Sequence, residues 1–212
     1  MSRGATARLF VAVDPPLEVR EQLVEWARDV AVTAREAGSA RGSLRLLDAE
    51  SLHLTLCFLG SRPVGEIEAL AAALAAEAEH ACELSVGAPL WLPPRRPHAL
   101  AVEIHDRDGE LTRVQERVSG ALVGVSAWRP ERRRFRPHIT LARVRGRVGG
   151  GRRAATGSAG AGVDRPGREI SLQPTPRLSF TPEAIVLYRS WLAPTGATYE
   201  ALAMRGLAAA AR

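Results

Sequence analysis

The same four-residue pattern stands twice in this chain, and the repeat limits the possible folds more than any other feature. Residues 53–56 read HLTL, and residues 138–141 read HITL. Each copy follows an apolar, strand-like run, at 8–13 and at 99–104, and then a segment with helical spacing of apolar residues. A strand–helix–strand unit that occurs twice predicts an internally duplicated α+β architecture whose two halves face each other.

Each tetrad separates polar from apolar side chains, because successive residues of a strand point to opposite faces. His53 and Thr55 fall on one face, and His138 and Thr140 do the same in the second copy. The apolar residues between them can enter a core. A single His-X-Thr is weak evidence, since it arises by chance and a histidine that begins a strand is often only hydrogen-bonded. Two copies in equivalent positions favour one shared groove with two imidazoles and two hydroxyls.

This quartet suits the chemistry of a phosphodiester. An imidazole titrates at about pH 6.5 when unperturbed, so one histidine can accept a proton while the other donates one. Threonine hydroxyls can donate hydrogen bonds to the non-bridging phosphate oxygens, where charge builds up in the transition state. Metal sites need several grouped ligands, and neither tetrad contains a carboxylate, so we expect no metal and no cofactor.

Four stretches of the chain resemble one known family. They are LFVAVDPP at 9–16, LHLTLCFLG at 52–60, FRPHITLAR at 135–143 and AIVLYRSWLAPTGATYEALA at 184–203. Together they are similar to the two-histidine (2H) phosphoesterase superfamily, and within it to the LigT-like RNA 2′,3′-cyclic phosphodiesterases, also called 2′-5′ RNA ligases. The resemblance implies a bilobal α+β fold in which antiparallel sheets line a central groove and helices lie outside.

The resemblance also implies a reaction and a role for each motif residue. The reaction is metal-independent hydrolysis of a 2′,3′-cyclic phosphate, at an RNA 3′ end or on a nucleotide, to a 2′-phosphate. His53 would protonate the departing 3′ oxygen, and His138 would accept a proton from the attacking water. Thr55 and Thr140 would hold the phosphate oxygens. Two alternatives stay open: ligation of 2′-5′ RNA ends, which is the reverse chemistry, and a nucleotide- or RNA-binding module without catalysis.

Two further substrate-binding residues follow from the resemblance. Arg143 matches a family arginine near the phosphate, but strand alternation turns it away from His138, so a bulge or a strand end would be needed. The alternative is a surface arginine. Phe10 matches a family aromatic residue in the groove, where it could stack on a base; the alternative is a core phenylalanine. Cys57 shares the parity of His53 and is interpreted either as a thiol at the groove edge or as a small buried residue.

Positive charge is the remaining clue to the partner. The net charge is +6, and all 29 basic residues are arginines. Guanidinium groups match phosphate oxygens, which favours a nucleic-acid or nucleotide partner, although a compositional bias explains the absence of lysine. Residues 129–136 (RPERRRFR) stand before the second tetrad and either contact RNA phosphates or form a charged surface loop. The Gly/Arg-rich insert at 146–167 predicts a flexible segment.

We expect residues 1–212 to form a single bilobal domain. The hydrophobic content of 46% is typical of a soluble globular protein, and no apolar run is long enough to cross a bilayer. The apolar start is too short for a secretory signal, and Cys57 and Cys82 form no CxxC motif. We therefore expect a cytoplasmic protein with reduced thiols and no membrane partner, acting as a monomer.

Three local predictions concern the boundaries of elements. Asp14 is predicted to cap the first helix, with Pro15 in its first position. Residues 63–82 are predicted to form a second helix, because their apolar residues recur at helical spacing. Residues 170–180 are predicted to form a strand.

Overall fold

Antiparallel strands make up most of the fold. The computed structural model describes residues 5–36, 44–76, 82–94, 97–144, 172–194 and 196–207. The insert predicted at 146–167 lies outside them. The described residues form, in chain order, β1 (Thr6–Val13), α1 (Leu17–Glu36), β2 (Leu44–Leu46), β3 (Leu54–Pro63), α2 (Ile67–Ala76), β4 (Leu84–Leu92), β5 (Ala99–His105), α3 (Glu110–Val125), β6 (His138–Val144), β7 (Ser179–Phe180), β8 (Ala184–Ala193) and β9 (Gly196–Gly206).

The strands form one sheet with two halves. One half contains β7, β4, β5, β6 and β2, and the other contains β3, β1, β8 and β9. Their order is β7-β4-β5-β6-β3-β1-β8-β9, with β2 paired to β6, and all pairings among the described residues are antiparallel. The strands that carry the two tetrads, β3 and β6, are neighbours in the middle and are joined through the pair Leu54–Ile139. The α+β class is confirmed, and the two expected antiparallel sheets are the halves of this continuous sheet.

The helices are exchanged between the two halves. Although α1 follows β1 in sequence, it packs against β2 and β6, in the half that carries the second tetrad. Although α3 precedes β6, it packs against β3 and α2, in the half that carries the first tetrad. The remaining helix, α2, also contacts β8 and β9. Each half of the sheet is therefore covered in part by a helix from the other half of the chain.

The apolar residues of both tetrads lie in the core beneath the helices. Leu54 and Ile139 are completely buried, and Leu56 and Leu141 nearly so. Burial of one such side chain stabilises the fold by roughly 1.5–3 kcal/mol. The histidine and threonine of each tetrad remain partly exposed. Strand alternation thus turns the polar half of each tetrad toward the sheet face that the helices leave open.

The first helix begins later than the sequence predicted. It starts at Leu17, and the carbonyl oxygen of Pro16 accepts the first hydrogen bonds of the helix. Asp14 does not cap the helix, because its carboxylate instead accepts a hydrogen bond from the hydroxyl of Tyr188. Two consecutive prolines explain the delay, since the residue before a proline is disfavoured in the helical conformation.

Two other boundaries also differ from the prediction. At the start of the helix predicted over 63–82, residues 64–66 form a 3₁₀ turn and α2 begins at Ile67; residues 77–81 of the predicted helix lie outside the described residues. Residues 170 and 171 of the strand predicted over 170–180 lie outside the described residues; from 172 onward only β7 is a strand, because Pro174 and Pro176 have no N–H group to donate to a neighbouring strand. No helix in the described part of the chain is long and apolar enough to span a membrane.

Candidate active site

The histidine and threonine of both tetrads line one cavity on the open face of the sheet. Its volume is about 330 Å³. The residues in its wall are Leu47, His53, Thr55, Leu92, Pro93, Ala99, His138, Thr140, Arg143 and Tyr199. Both halves of the sheet therefore contribute to the same site. Within the described ranges, no group of three His, Cys, Asp or Glu side chains is placed to hold a metal ion.

The pair Leu54–Ile139 fixes how the four polar side chains are arranged. In an antiparallel pair, the residue before Leu54 lies across from the residue after Ile139, so the histidine of each strand faces the threonine of the other. His53 and His138 thus stand at diagonal corners of a rectangle, with Cα atoms roughly 7–8 Å apart. A phosphate between them would have one imidazole on each side and one hydroxyl beside each imidazole.

A β-bulge occurs at the same place in both tetrads. In β3 the register with β1 skips Leu56, and in β6 the register with β5 skips Leu141. A bulge adds one residue to one strand and so changes the face to which the following side chains point. The two halves therefore share a backbone irregularity as well as the His-X-Thr-Leu sequence.

The bulges decide the positions of two residues that follow the tetrads. Arg143 would point away from His138 by alternation alone, but the skipped Leu141 brings it back to the site face, where it lines the cavity. The equivalent bulge turns Cys57 into the core, where its Sγ lies 3.2 Å from Oγ of Ser119. The interpretation of Cys57 as a thiol at the groove edge is therefore wrong, and it is a small buried residue.

Both imidazoles are held in the same way. Nδ1 of His53 lies 2.9 Å from the carbonyl oxygen of Ser51, and Nδ1 of His138 lies 2.8 Å from the carbonyl oxygen of Arg136. A carbonyl oxygen can only accept, so each Nδ1 must carry the proton and donate it. This hydrogen bond leaves Nε2 of each ring as the atom that takes up or releases a proton.

Burial lowers the pKa of His53 below its ordinary value. The carbonyl of Ser51 and the negative charge of Asp14 act in the opposite direction, whereas the positive charges of Arg143 and His138 add to the lowering. Because burial has the largest effect, the imidazole of His53 is neutral at pH 7 in the empty site.

Three aromatic rings surround the imidazole of His53. The ring centroid of Phe10 lies 4.7 Å from it, that of Tyr199 lies 5.0 Å away and edge-on, and that of Tyr188 lies 6.3 Å away. Phe10 is only 3% exposed, and it stacks on Tyr188 behind the imidazole. The expectation that Phe10 stacks on a base is corrected by this position, because a ring covered on its faces by protein supports His53 and leaves no surface for a base.

Asp14 and Tyr188 form a hydrogen bond beside these rings. The hydroxyl of Tyr188 donates to Oδ2 of Asp14 over 2.5 Å. Burial, and then this hydrogen bond, raise the pKa of Tyr188, so the phenol stays neutral and remains a donor. Oδ1 of Asp14 is buried without a hydrogen-bond partner among the described residues. Its negative charge is therefore poorly screened and acts on His53 through space.

Tyr199 is the site residue that sequence reasoning missed. It lies in β9 at the edge of the sheet, three strands away from β3 in the strand order, and still lines the cavity beside His53. Neighbouring strands are about 4.8 Å apart, so this contact depends on how the sheet curves around the site. The only signal in the sequence was that Tyr199 is an aromatic residue in the closing hairpin. Packing in the core would account for an aromatic residue there equally well.

The fold and the paired His-X-Thr strands define a two-histidine protein with the LigT architecture. TT0787 of Thermus thermophilus has the same fold, with a TM-score of 0.67 and 25% identity over 96% of this chain and 100% of that one. Escherichia coli LigT complexed with 3′-AMP matches with a TM-score of 0.70 and 22% identity over 96% and 99%. The family model described as the 2′-5′ RNA ligase superfamily matches residues 15–190. The chain belongs to the 2′-5′ RNA ligase superfamily.

Two curated relatives carry the name RNA 2′,3′-cyclic phosphodiesterase. The protein from Aeropyrum pernix is 33% identical over 106 residues, which is 49% of this chain and 58% of that protein. The protein from Escherichia coli (strain K12) is 30% identical over 144 residues, which is 64% of this chain and 71% of that protein. The chain therefore spans 58% of the length of the first relative and 71% of the second.

Proposed function

We propose that the protein hydrolyses 2′,3′-cyclic phosphates at RNA 3′ ends or on nucleotides and leaves a 2′-phosphate. One observation carries this proposal: His53 and His138 line the same cavity as a diagonal pair, each with Nδ1 hydrogen-bonded to a carbonyl oxygen. Both Nε2 atoms are thus available for proton transfer. The names of the two curated relatives support the substrate class.

In the proposed reaction, the two imidazoles act on opposite sides of the phosphorus atom. Nε2 of His138 accepts a proton from a water molecule as the water oxygen bonds to phosphorus. Nε2 of His53 donates a proton to the 3′ oxygen as the bond between that oxygen and phosphorus breaks. Each proton transfer typically contributes about 10²–10⁴ in rate. Proton exchange with solvent then restores both histidines.

Three further side chains stabilise the charge on the phosphate. In this proposal, the hydroxyls of Thr55 and Thr140 donate hydrogen bonds to the non-bridging oxygens, and the guanidinium of Arg143 offsets their negative charge. The same negative charge favours the protonated form of His53, because an anion next to an imidazole raises its pKa. Substrate binding thereby opposes the effect of burial and creates the proton donor.

Hydrolysis of the four nucleoside 2′,3′-cyclic phosphates by EDTA-treated protein tests this proposal. We expect 2′-phosphates as products and a loss of kcat of at least about 10²-fold for His53→Ala and for His138→Ala. His98→Ala changes an exposed histidine outside the cavity wall and should retain full activity. Circular dichroism checks that each variant is folded. Full turnover by either tetrad variant, or 3′-phosphate products, would contradict the proposal.

The same site supports a second candidate activity, 2′-5′ RNA ligation, which the description of the superfamily names. Ligation differs from hydrolysis in one reactant, because a ribose hydroxyl takes the place of water. A nucleotide-binding module without catalysis is the third candidate, and nucleotide binding without any turnover would favour it. The equivalent hydrogen bonds at both Nδ1 atoms favour an enzyme over such a module, because binding alone does not require a defined tautomer at both histidines.

We further propose that the protein acts as a cytoplasmic monomer. Cys57 and Cys82 are both free and buried, which agrees with a reducing compartment. Sedimentation of the purified protein and fractionation of cells test the two parts of this proposal separately.

A further inference from the structure

A row of four side chains crosses the open face of the sheet at one end of the catalytic cavity. Leu92 in β4 is paired with Ala99 in β5, and Ala99 is paired with Arg143 in β6. On its other side, Arg143 is paired with Arg45 in β2. Residues paired directly across antiparallel strands point to the same face, so all four side chains share the open face. The hydrolysis proposed above uses only Arg143 from this row.

The row is apolar at one end and cationic at the other. Leu92, Ala99 and Arg143 lie in the wall of the cavity, and Arg45 continues the row beyond that wall. Leu92 and Ala99 give the β4–β5 end an apolar surface, whereas the β6–β2 end carries two guanidinium groups. A nucleotide fits such a row, because it combines the flat face of a base with anionic phosphates.

The guanidinium of Arg45 lies against the start of β9. Gly196 is the first residue of β9, and a Cβ atom added to it would lie 3.1 Å from Cζ of Arg45 and nearer still to Nη1. Leu47, which follows β2, and Tyr199 in β9 both line the cavity, so a side chain that reaches from β2 to β9 lies at the rim of the cavity. A guanidinium held there before a ligand arrives lowers the entropic cost of binding.

The paired arginines favour an anion beside them. The Cβ atoms of directly paired residues are roughly 4.5–5.5 Å apart, and like charges in such a pair destabilise a sheet. A phosphate bound next to Arg45 and Arg143 offsets this repulsion, and its oxygens match the planar guanidinium groups. Because a guanidinium has five N–H donors, Arg45 can contact the protein and a phosphate oxygen at the same time.

The order of the catalytic residues indicates which part of the substrate meets this row. Along β6 the site residues follow one another as His138, Thr140 and Arg143, and His53 stands across from Thr140. His53 is therefore nearer to the row than His138 is. In the proposed function His53 protonates the departing 3′ oxygen, so the ribose of the terminal nucleotide lies on the side of the row.

We propose that Arg45 binds the phosphate on the 5′ side of the terminal nucleoside, so that the site distinguishes an RNA 3′ end from a nucleoside 2′,3′-cyclic phosphate; this inference rests on the proposed function. Arg143 contacts the cyclic phosphate, and Arg45, the next side chain of the row, contacts the phosphate one ribose further along the strand. A nucleoside 2′,3′-cyclic phosphate lacks that second phosphate and makes no contact with Arg45.

The test compares adenosine 2′,3′-cyclic phosphate with its 5′-phosphorylated form, which differs from it only by the phosphate assigned to Arg45. The full-length protein gives kcat/KM for each substrate, and the ratio of the two values cancels any loss common to both. We expect the wild type to favour the 5′-phosphorylated substrate and Arg45→Gln to lower this ratio by about tenfold, because a charged hydrogen-bond donor is lost. Arg45→Lys keeps the charge without the planar fork and should give an intermediate ratio.

Arg134→Gln is the matched control. Arg134 is exposed and lines a different cleft together with Pro137, which precedes His138, so it lies beyond the opposite end of the catalytic quartet. Removal of its positive charge should keep the wild-type ratio. Thermal unfolding checks that each variant is folded.

Each possible failure has its own meaning. If the wild type hydrolyses neither substrate, the proposed function fails and this inference fails with it. If the wild type hydrolyses both with equal kcat/KM, or if Arg45→Gln keeps the wild-type ratio, the inference is wrong while the proposed function stands. If Arg134→Gln lowers the ratio and Arg45→Gln does not, the 5′ phosphate binds on the side of His138, which overturns the assignment to Arg45.

Discussion

The two tetrad histidines share a tautomer but not an environment. Phe10, Tyr188 and Tyr199 surround His53, and burial lowers its pKa. A histidine in this state is a poor proton donor until an anion lies beside it. In the proposed reaction, the negative charge of the substrate raises the pKa of His53, so the imidazole is protonated when the substrate lies beside it.

We expect the pKa of His53 to rise when a nucleotide binds. In the free protein this pKa lies below 6.5, so kcat/KM, which reports the free enzyme, falls as the pH rises through that lowered value. In the complex the phosphate raises the pKa of His53, so the corresponding fall in kcat occurs at higher pH. NMR titration of the histidines with and without a nucleoside 2′-phosphate measures the change, and His53→Ala identifies the signal. A titration of His53 that does not move on binding would be evidence against this mechanism.

We expect Tyr199 to position His53 through its ring and not through its hydroxyl. The ring meets the imidazole edge-on at 5.0 Å, and such contacts contribute about 0.5–1.5 kcal/mol. Tyr199→Ala should lower kcat by roughly two- to tenfold, and Tyr199→Phe should keep it within about twofold. Steady-state kinetics compare the two variants. An equal loss in both would assign the effect to the hydroxyl.

At the scale of elements, strand alternation predicted the tetrads well and failed just beyond them. The histidine and threonine of each tetrad precede the skipped leucine, so their faces follow directly from the sequence. Cys57 and Arg143 follow it, and alternation alone gives the wrong face for both. The skipped Leu56 and Leu141 are apolar core residues, and neither bulge contains a glycine, so no residue type marks them.

The boundaries of elements show the same limit of sequence reasoning. The second tetrad lies in a strand as its alternation predicted, and β6 (His138–Val144) is bounded in the sequence by a proline and a glycine-rich segment. The predicted start of α1, Pro15, was wrong by two residues, because Asp14 is a good capping residue by type but is hydrogen-bonded to Tyr188 in the folded protein. That partner lies far away in the sequence, and only the sheet order brings the two together.

We expect the guanidinium of Arg143, which the bulge at Leu141 places in the cavity wall, to contribute to the rate of hydrolysis. Arg143→Gln should lower kcat by about 10²–10³, the usual cost of removing one charge-stabilising donor from an active site. The stability of the Arg143→Gln variant should differ little from that of the wild type, because the side chain of Arg143 is exposed. Arg133→Gln, an exposed change outside the cavity wall, is the matched control. Hydrolysis rates and thermal unfolding test both expectations, and an Arg143→Gln variant with wild-type kcat would refute the first.

At the scale of the whole molecule, the exchanged helices make the two halves depend on each other. We expect a fragment of residues 1–107 to lack a cooperative unfolding transition, although it contains a complete strand–helix–strand unit. In that fragment α1 would lose β6, and β3 would lose α3. Urea unfolding followed by tryptophan fluorescence compares the fragment with the full chain, which should unfold in one transition. A sharp transition in the isolated fragment would show that the halves are independent.

The matching bulges also show where the internal symmetry is broken. Two residues beyond each bulge, β6 places Arg143, whereas β3 places Phe58, whose ring lies 4.6 Å from the guanidinium carbon of Arg8. Arg143 lines the cavity and Phe58 does not, so the bulge in β6 supplies a cation to the site and the equivalent bulge in β3 supplies none. Together with the aromatic rings around His53, this difference makes the two sides of the cavity unequal, so a bound phosphodiester is expected to take one orientation.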